Sequence, residues 1–380
     1  MASTPLKQEA PLILFAGGGT GGHVFPGIAV AENLASRRPV SLLWVGSTRG
    51  IEREIVRRFK IPFVGIPAGK LRRYIAFRNF ADIFAVAAGI LRSLSIIRAL
   101  RPRLLFSKGG YASVPPVIAA WLRGVPVVTH ESDADPGLAT RINARFARTI
   151  LVPYPATVRQ FPVKLQSRVE VTGNPIRREI LTGREEIGLG VAGFNPADRR
   201  PVVMFLGGSL GARQINRLVA SLLGALKPGW RVIHQTGDLL RKGGRSDDLE
   251  LPPPDQNYFR GAFFQDELPH LLTCADVVVC RSGAGTLWEV AALAKPMLLV
   301  PLGAGSRGDQ DRNAQVFEQA GAARIFRSDA TLAEDVATAL EQLCLNPGLR
   351  AEMGRNAHRL IHIDSSDRIV AILEELLDSP

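Results

Sequence analysis

The feature that most constrains the fold is a glycine-rich stretch at residues 16–27, AGGGTGGHVFPG. The apolar run Pro11–Phe15 before it predicts a strand, and Ile28–Leu34 after it predicts a helix. Glycines allow a ligand to approach the backbone closely. A helix start offers unpaired N–H groups and the positive end of the helix dipole, so an anion is the expected ligand. The alternative is a tight turn that only packs the helix on the strand.

The spacing of Gly17, Gly19 and Gly22 also matches G-x-G-x-x-G, the pattern of dinucleotide-binding loops. Such loops need an acidic residue after the second strand to hold a ribose. The second strand is predicted at Ser41–Val45, and Gly46-Ser47-Thr48-Arg49 follows without an acid. The loop also lacks the Gly-Lys-Ser/Thr ending of a P-loop. The sequence therefore favours a different anion.

The second half of the chain repeats the plan of the first. A predicted strand, Pro201–Leu206, leads into the glycine loop GGSLGA at residues 207–212 and a predicted helix, Gln214–Leu226. Two such openings in 380 residues predict an α/β protein. We expect two doubly wound Rossmann-like domains that face a cleft.

A domain boundary is predicted at GNPIRR, residues 173–178, where glycine, asparagine and proline interrupt regular structure. We expect an N-terminal domain at 1–172, a C-terminal domain at 173–364 and a final helix at 365–380. Ser365 or Ser366 is expected to cap that helix. Its predicted apolar face comprises Ile369, Val370, Leu373 and Leu377.

Charge is unevenly divided between the two halves. Residues 1–173 contain 24 basic and 9 acidic side chains, a net charge of +15, whereas the remainder carries −3. A one-sided basic field attracts anionic lipid headgroups or nucleic acid. No nucleic-acid module is recognisable, so a nucleic-acid partner is not expected.

The three cysteines indicate a reducing compartment, because they are odd in number and lack Cys-x-x-Cys spacing. The N-terminus is interpreted as a first strand without a signal peptide. No apolar stretch is expected to reach the roughly 20 residues of a membrane span.

A basic, aromatic segment at Lys70–Arg103 predicts a membrane-surface element. It contains eight basic residues and one acid, Asp82, and its apolar part Ile83–Leu91 is judged too short to cross a bilayer. The alternative for Ile83–Leu91 is an ordinary helix with one side in the core. The residues predicted to contact the membrane are Tyr74, Ile75, Phe77, Phe80 and Trp121.

Polar residues follow the predicted strand Pro126–Thr129. Ligands of open α/β sheets bind outside the carboxyl ends of the strands, so His130, Glu131 and Asp133 are candidates for chemistry. The alternative is that some of them only cap the next predicted helix, Gly137–Phe146.

A second anion cradle is predicted after the strand Asp276–Cys280. The sequence RSGAGTLWE at residues 281–289 places small residues at a helix start. Because a carboxylate does not suit a phosphate, Glu289 is interpreted as a partner of ribose hydroxyls. The alternative is a simple N-terminal partner of the helix dipole.

Six motifs, in order along nearly the whole chain, closely resemble the bacterial peptidoglycan N-acetylglucosaminyltransferases of glycosyltransferase family 28, the MurG family. They are GGGTGGHVFPGIAVAENL (17–34), KGGYASVPPVIAAW (108–121), VTGNPIRREI (171–180), GGSLGARQIN (207–216), VVVCRSGAGTLWE (277–289) and GDQDRNA (308–314).

The resemblance implies a fold of the glycosyltransferase B type and an enzyme of peptidoglycan synthesis. The donor would be UDP-N-acetylglucosamine and the acceptor undecaprenyl-diphospho-muramoyl-pentapeptide (lipid I). Attack by the acceptor's C4 hydroxyl with inversion would give the β-1,4 linkage of lipid II. No metal or other cofactor is expected. The protein would work peripherally at the cytoplasmic face of the bacterial inner membrane, with anionic headgroups and other wall-synthesis proteins as partners.

The resemblance also assigns donor-binding residues. Arg177 would meet donor phosphate, Glu289 the ribose hydroxyls, the backbone at Gln265 the uracil edge and Gln310 the N-acetylglucosamine hydroxyls. The positions that would hold the diphosphate are Ser209 and the backbone around Ala284, Gly285, Thr286 and Leu287.

Thr20, Gly21 and Gly22 would hold the acceptor diphosphate or line the donor sugar. His23 is the residue named as general base, since an imidazole pKa near 6.5 suits that role; the alternative is a structural or binding role. Where the family usually has His-Glu-Gln-Asn, this chain has Asp133 in the last position. An aspartate accepts a proton but lacks the amide donor, so Asp133 is a second candidate base.

Three other interpretations remain open. The first is another two-domain UDP-sugar transferase that acts on a different lipid acceptor. The second is a protein that binds nucleotide or membrane without turnover. The third is a basic nucleic-acid binder, which salt-dependent retention on DNA would reveal.

Overall fold

The computed structural model describes residues 10–69, 78–207, 212–225, 229–237, 251–302 and 308–379, without the side chains of 78–81, 224 and 225. The chain divides into two compact units. The first runs to Pro175 and takes up the chain again at Asp364, and the second spans Ile176–Ile363. Both units are α/β, as predicted.

The first unit is built on a sheet of seven parallel strands in the order β3-β2-β1-β4-β5-β6-β7. The strands are β1 (Leu12–Ala16), β2 (Ser41–Ser47), β3 (Phe63–Ile66), β4 (Leu104–Ser107), β5 (Val127–His130), β6 (Thr149–Val152) and β7 (Val169–Val171). The order reverses between β1 and β4, the position at which doubly wound sheets bind ligands.

The helices described between these strands are α1 (Gly21–Arg37), α2 (Glu52–Arg58), α3 (Arg78–Leu100), α4 (Val114–Leu122), α5 (Leu138–Asn143), α6 (Pro155–Val158) and α7 (Val163–Gln166). The strands are apolar on both faces, and Ile13 and Leu14 point into different core clusters. A parallel sheet covered by helices on both faces needs such continuous apolar runs.

The second unit has six described strands, all parallel, in the order β10-β9-β8-β11-β12-β13. They are β8 (Val202–Leu206), β9 (Arg231–Gln235), β10 (Tyr258–Gly261), β11 (Val277–Cys280), β12 (Met297–Leu299) and β13 (Ala323–Ile325). The helices are α8 (Glu185–Ala192), α9 (Arg213–Ala225), α10 (Leu268–Cys274), α11 (Ala284–Ala292), α12 (Asp309–Gln319), α13 (Leu332–Leu345) and α14 (Pro347–Leu360).

Helix α1 begins at Gly21, seven residues before the predicted start at Ile28. Glycines and Pro26 disfavour a helix locally, but packing outweighs that propensity. A Cβ at Gly27 would lie 2.6 Å from Trp44 Cη2, so a glycine lets the helix lie directly on the indole. Gly22 and His23 are therefore helical residues and not loop residues.

Helix α3 corrects the expectation about membrane-length segments. Its part Asp82–Leu100 is 19 residues long and apolar enough to cross a bilayer by composition, with 22% of the most apolar window buried. The helix packs on α4, and its residues Ser93, Ile96 and Ile97 are buried. A Cβ at Gly89 would come within 2.2 Å of the Pro67 carbonyl oxygen. One face of α3 therefore belongs to the domain core, and the rest is accessible.

The last helix, α15 (Ser365–Asp378), lies on α1 in the first unit. Its apolar residues Ile369, Val370, Leu373 and Leu377 are buried, as predicted. The cap position is Asp364, and both Ser365 and Ser366 lie within the helix, contrary to the expectation. The Ser366 hydroxyl accepts a hydrogen bond from Asn33 Nδ2 at 3.0 Å.

A buried histidine in the second unit should make its stability depend on pH. His234 Nε2 donates to Asn216 Oδ1 at 2.9 Å, and Nδ1 accepts from the Tyr258 hydroxyl at 3.0 Å. Burial, followed by the charge of Arg260, lowers the pKa of His234 to about 3. The unfolded chain takes up this proton near pH 6.5, which the folded state does not, so stability falls as the pH drops below 6.5.

We expect His234 to contribute about 1.4 kcal/mol per pH unit to that loss. Urea unfolding of the second domain between pH 6 and 4 measures it. His234→Gln should flatten the slope by this amount, whereas the exposed His358→Gln should leave it unchanged. Equal slopes in all three proteins would contradict the expectation.

Candidate substrate sites in the two domains

A side chain of β2 stabilises the glycine loop that follows β1. Trp44, fully buried in β2, donates its indole N–H to the Gly17 carbonyl at 3.0 Å. Gly19 has a φ of 101°, and a Cβ there would lie 3.0 Å from the Tyr111 ring. A Cβ at Gly110 would lie 2.1 Å from the Gly18 carbonyl oxygen, so the loops after β1 and β4 lie in direct contact.

The first turn of α1 is partly exposed to solvent. Thr20 is the N-cap residue and makes no side-chain capping bond. The His23 N–H reaches the Thr20 carbonyl at 3.1 Å, but within the described residues the N–H groups of Gly21 and Gly22 have no acceptor. Thr20 and Gly22 are exposed. This arrangement suits an anion, because unpaired donors and the helix dipole act together.

His23 lies between the two loops. Its Nδ1 is 3.8 Å from a Cβ built at Gly109, and its Cδ2 is 3.1 Å from one built at Gly110. Nδ1 is buried and has no hydrogen-bond partner in the described part of the chain. Burial and then the positive charge of Lys108 lower the pKa of His23, against the opposing effect of Glu131. The ring is therefore neutral at pH 7, the form in which an imidazole accepts a proton.

Lys108 is a buried cation to which sequence reasoning assigned no role in the site. Its ammonium donates to the Ser132 hydroxyl, which in turn donates to Asn174 Oδ1 at 2.8 Å. Burial lowers the pKa of Lys108 to about 8, while the charges of Glu131 and Asp133 raise it in opposition. The motif KGGY contained this residue, but only the fold shows its distance from Ser132.

Glu131 and His130 have structural roles in this domain. The Glu131 carboxylate accepts N–H groups from Ser132 (2.7 Å), Asp133 (3.0 Å) and Gly137 (3.0 Å), which orders the loop before α5. His130 is fully buried and donates Nε2–H to the Gly173 carbonyl at 2.8 Å. Burial and then the charge of Lys108 lower the pKa of His130 well below its usual value.

The same contacts explain the domain boundary. Gly173 bonds to His130 at the end of β5 and Asn174 bonds to Ser132 just after it, so both belong to the first unit. The division falls after Pro175, three residues later than the predicted end at 172. Asp133 is partly buried beside this network, and its charge acts on Lys108.

In the second unit, the start of α11 forms the predicted cradle. Gly283 is the N-cap, and its carbonyl accepts the Leu287 N–H at 3.1 Å. The N–H groups of Ala284, Gly285 and Thr286 have no acceptor among the described residues, as expected for a first helical turn. The Leu287 side chain is fully buried in the core, and its N–H is bonded to Gly283, so Leu287 supports this turn.

Arg177 and Glu289 form a two-pronged ion pair. Arg177 Nε donates to Glu289 Oε1 at 2.7 Å and Nη2 donates to Oε2 at 3.1 Å. The side chains are 19% and 15% exposed. Burial alone would lower the pKa of Arg177, but the Glu289 charge and hydrogen bonds raise it. The geometry fixes the orientation of the carboxylate beside the α11 cradle, since a guanidinium fork restricts both oxygens.

Two further residues predicted to bind the sugar donor, Gln265 and Gln310, make hydrogen bonds within the second unit. The Gln265 N–H donates to Glu267 Oε2 at 3.1 Å. Gln310 Oε1 accepts the Leu302 N–H at 2.9 Å, which ties α12 to the loop after β12. Ser209 lies outside the described residues.

Carboxylates with Asp-x-Asp spacing occur at residues 133–135 and 309–311, so the expectation of a metal-independent site cannot rest on the lack of that spacing. In the second segment, Asp309 pairs with Arg312 at 3.0 Å and Asp311 with Arg327 at 2.6 Å. The described residues contain no group of three or more His, Cys, Asp or Glu side chains placed to hold a metal ion.

Trp121, predicted to contact membrane, is 53% exposed on α4 and packs against Phe146 with ring centroids 5.1 Å apart. The predicted contacts Tyr74, Ile75 and Phe77 lie outside the described residues, and so does the side chain of Phe80. On α3, sequence reasoning missed the exposed side chains of Ile83, Phe84 and Leu91.

Comparison with known families accounts for most of the chain. Residues 13–152 match the glycosyltransferase family 28 N-terminal domain, and residues 202–369 match the glycosyltransferase family 28 C-terminal domain.

Two relatives are similar over nearly their whole length. A Treponema denticola protein named UDP-N-acetylglucosamine--N-acetylmuramyl-(pentapeptide) pyrophosphoryl-undecaprenol N-acetylglucosamine transferase is 45% identical over 337 residues, 85% of this chain and 84% of its own. A Legionella pneumophila protein of the same name is 37% identical over 367 residues, 96% of this chain and 97% of its own.

Two solved structures share the fold. MurG from Acinetobacter baumannii superposes with a TM-score of 0.71 at 24% identity and covers 96% of this chain and 99% of its own. The UDP-GlcNAc 2-epimerase from Neisseria meningitidis, bound to UDP-GlcNAc, has a TM-score of 0.65 at 15% identity and covers 96% of this chain and 99% of its own. At these identities the likeness concerns the fold alone.

Proposed function

We propose, because this chain belongs to glycosyltransferase family 28, that it transfers N-acetylglucosamine from UDP-N-acetylglucosamine to lipid I. The acceptor's C4 hydroxyl attacks the anomeric carbon, the bond from that carbon to the UDP oxygen breaks, and UDP leaves with the electron pair. Attack from the opposite face gives the β-1,4 linkage of lipid II.

The observation that carries the proposal is the agreement between full-length relatives. Proteins 37% and 45% identical, aligned over 84–97% of their length, bear the name of that transferase. The two N–H cradles, at the starts of α1 and α11, add physical support, since the reaction joins one diphosphate substrate to another. Each cradle can hold one diphosphate through backbone N–H groups.

The second domain carries the donor. The N–H groups at 284–286 hold the diphosphate, and the Arg177–Glu289 pair presents carboxylate oxygens to the ribose hydroxyls. Because Arg177 is paired with Glu289, its first role is to orient that carboxylate, and a contact with donor phosphate is secondary. Ser209, the Gln265 backbone and Gln310 complete the donor set.

The first domain carries the acceptor. Its diphosphate lies on the first turn of α1, at Thr20, Gly21 and Gly22. Neutral His23 takes the proton from the C4 hydroxyl as the oxygen attacks. Asp133 is the competing base, because it occupies the loop after β5 near Lys108.

The exposed apolar side of α3 supports work at a membrane surface. Ile83, Phe84 and Leu91 are 56%, 74% and 67% exposed, and they belong to the half of the chain that carries the positive charge. We infer that this side and Trp121 insert among the headgroups of the cytoplasmic leaflet of the inner membrane, with anionic lipids as partners. The protein would remain peripheral at this surface. Other wall-synthesis proteins are expected partners there, and nucleic acid is not.

Transfer of labelled N-acetylglucosamine from UDP-N-acetylglucosamine to a short-chain lipid I analogue tests the function. We expect a product that gains one sugar, at a rate that EDTA leaves unchanged, because backbone N–H groups hold the diphosphate and arginines pair Asp309 and Asp311. Tight donor binding without transfer to lipid I would favour another lipid acceptor. A rate abolished by EDTA and restored by a divalent ion would contradict the expectation that the transfer needs no metal ion.

The membrane role predicts a binding defect. Phe84→Asp with Leu91→Asp should weaken binding to vesicles that contain anionic lipid by about 10-fold or more, because two apolar contacts are lost. Flotation with vesicles measures it. Leu345→Asp, at an exposed leucine of the second unit, is the matched control. Unchanged flotation of the double variant would rule out α3 as the contact.

A further inference from the structure

A carboxylate lies fully buried beneath the glycine loop of the first domain. Glu52, the first residue of α2, has 0% of its surface exposed. A buried carboxylate is unfavourable unless hydrogen bonds replace the lost water. From the sequence, Glu52 is one acid in a charged segment, with nothing to separate it from Glu54.

Its hydrogen bonds join two strand ends. Glu52 Oε1 accepts the N–H of Ser47, the last residue of β2, at 2.7 Å, and Oε2 accepts the N–H of Gly19 in the glycine loop at 3.3 Å. In the part of the chain that the structure describes, no basic side chain lies within 4.0 Å of this carboxylate. Backbone N–H groups and the α2 helix start therefore stabilise the charge.

Three glycines make the space for this carboxylate. A Cβ at Gly18 would lie 2.5 Å from Oε1, one at Gly50 would lie 2.0 Å from Oε2, and one at Gly46 would lie 2.8 Å from Cγ. Contacts this short exclude a side chain at any of the three positions without displacing Glu52. Glycines of the loop after β1, of strand β2 and of the turn before α2 thus fit one acidic side chain, which indicates that its position matters to the glycine loop.

We propose that Glu52 is a positioning residue that fixes the glycine loop and directs the acceptor's diphosphate onto the first turn of α1. Because the Gly19 N–H donates to Glu52, it is unavailable to a ligand. Among the described residues, the N–H groups of Gly21 and of the exposed Gly22 have no acceptor and remain available. The buried negative charge also disfavours a second anion deeper in the loop. This inference rests on the proposed function for the identity of the acceptor.

The test compares Glu52→Gln with Glu54→Gln, an exposed glutamate on the same helix. A glutamine has one acceptor oxygen and presents an N–H₂ to the other backbone donor. We expect at least about a 10-fold loss in kcat/KM for a lipid I analogue, the value of one hydrogen bond to a charged group. The dissociation constant for UDP-N-acetylglucosamine should be unchanged, because the donor residues lie in the other domain.

Hydrogen exchange separates this role from general destabilisation. The peptide that contains Gly19 should exchange faster in Glu52→Gln than in the wild type or Glu54→Gln, and the second domain should exchange equally in all three. If Glu52→Gln does not fold, Glu52→Asp replaces it, because its shorter side chain moves the carboxylate away from the Gly19 and Ser47 N–H groups but keeps the charge. The same changes in exchange and in kcat/KM are expected.

Two results would overturn the proposal: unchanged exchange at Gly19 and acceptor kcat/KM, or an equal loss of donor affinity. If the wild type transfers no sugar to lipid I, the proposed function fails. The exchange comparison then still decides whether Glu52 holds the loop.

Discussion

Glu289→Ala should lower kcat/KM for UDP-N-acetylglucosamine by about 100-fold or more. Hydrogen bonds to a charged group each contribute about 1.5–3 kcal/mol, and the carboxylate offers two oxygens to the ribose, so the loss is at least about 3 kcal/mol. The substitution also leaves the Arg177 charge, 19% exposed, without its carboxylate partner. Initial rates at varied donor concentration measure kcat/KM, and titration calorimetry measures the donor affinity.

Two variants make this result specific. Arg177→Gln should weaken donor binding less than Glu289→Ala, because it removes the orientation of the carboxylate and not the carboxylate itself. Glu341→Gln, at an exposed acid on α13, is the matched control and should bind the donor normally. Wild-type donor affinity in Glu289→Gln would contradict the assignment of Glu289 to the ribose.

His23→Ala should reduce kcat by about 100-fold or more while donor affinity is retained, because a general base typically contributes at least that factor. The base must be unprotonated, so the wild-type rate should fall on the acidic side through a pKa below 6.5. That direction follows from burial and the Lys108 charge, which both lower the pKa of His23. The pH dependence of kcat for the lipid I analogue measures it.

Asp133→Asn tests the alternative base, and the exposed His358→Ala is the matched control. If His23 is the base, Asp133→Asn should retain the acidic limb of the profile and lose far less activity. A His23→Ala enzyme within about threefold of the wild type, with the loss transferred to Asp133→Asn, would reverse the two roles.

The fold class follows from the sequence because two glycine loops, each between an apolar strand and a helix, are short-range signals. The bounds of β8 lie within a residue of the predicted strand Pro201–Leu206, since buried parallel strands are continuous apolar runs. The predicted start of α1 was wrong because glycine and proline disfavour a helix when only local propensity is considered. Its early start at Gly21 depends on contact with Trp44, a residue on another strand.

The functional site was harder to predict from the sequence, because its residues also come together only through contacts between distant parts of the chain. The motifs located Arg177 and Glu289 separately, but a pair 112 residues apart in sequence becomes visible only in three dimensions. Lys108, Ser132 and Asn174 form one buried chain of hydrogen bonds, although each lies in a different motif. Glu131 and His130 matched a catalytic pattern at a strand end, yet their hydrogen bonds are to the backbone.

The measurement that tests the central claim most directly is the structure of the product made from UDP-N-acetylglucosamine and a lipid I analogue. NMR of the purified product identifies the configuration of the new anomeric carbon and the position to which it is attached. The account predicts a β anomer on the C4 oxygen of the muramoyl sugar, with UDP released in equal amount. An α anomer, attachment at another hydroxyl, or transfer only to a different lipid acceptor would contradict it.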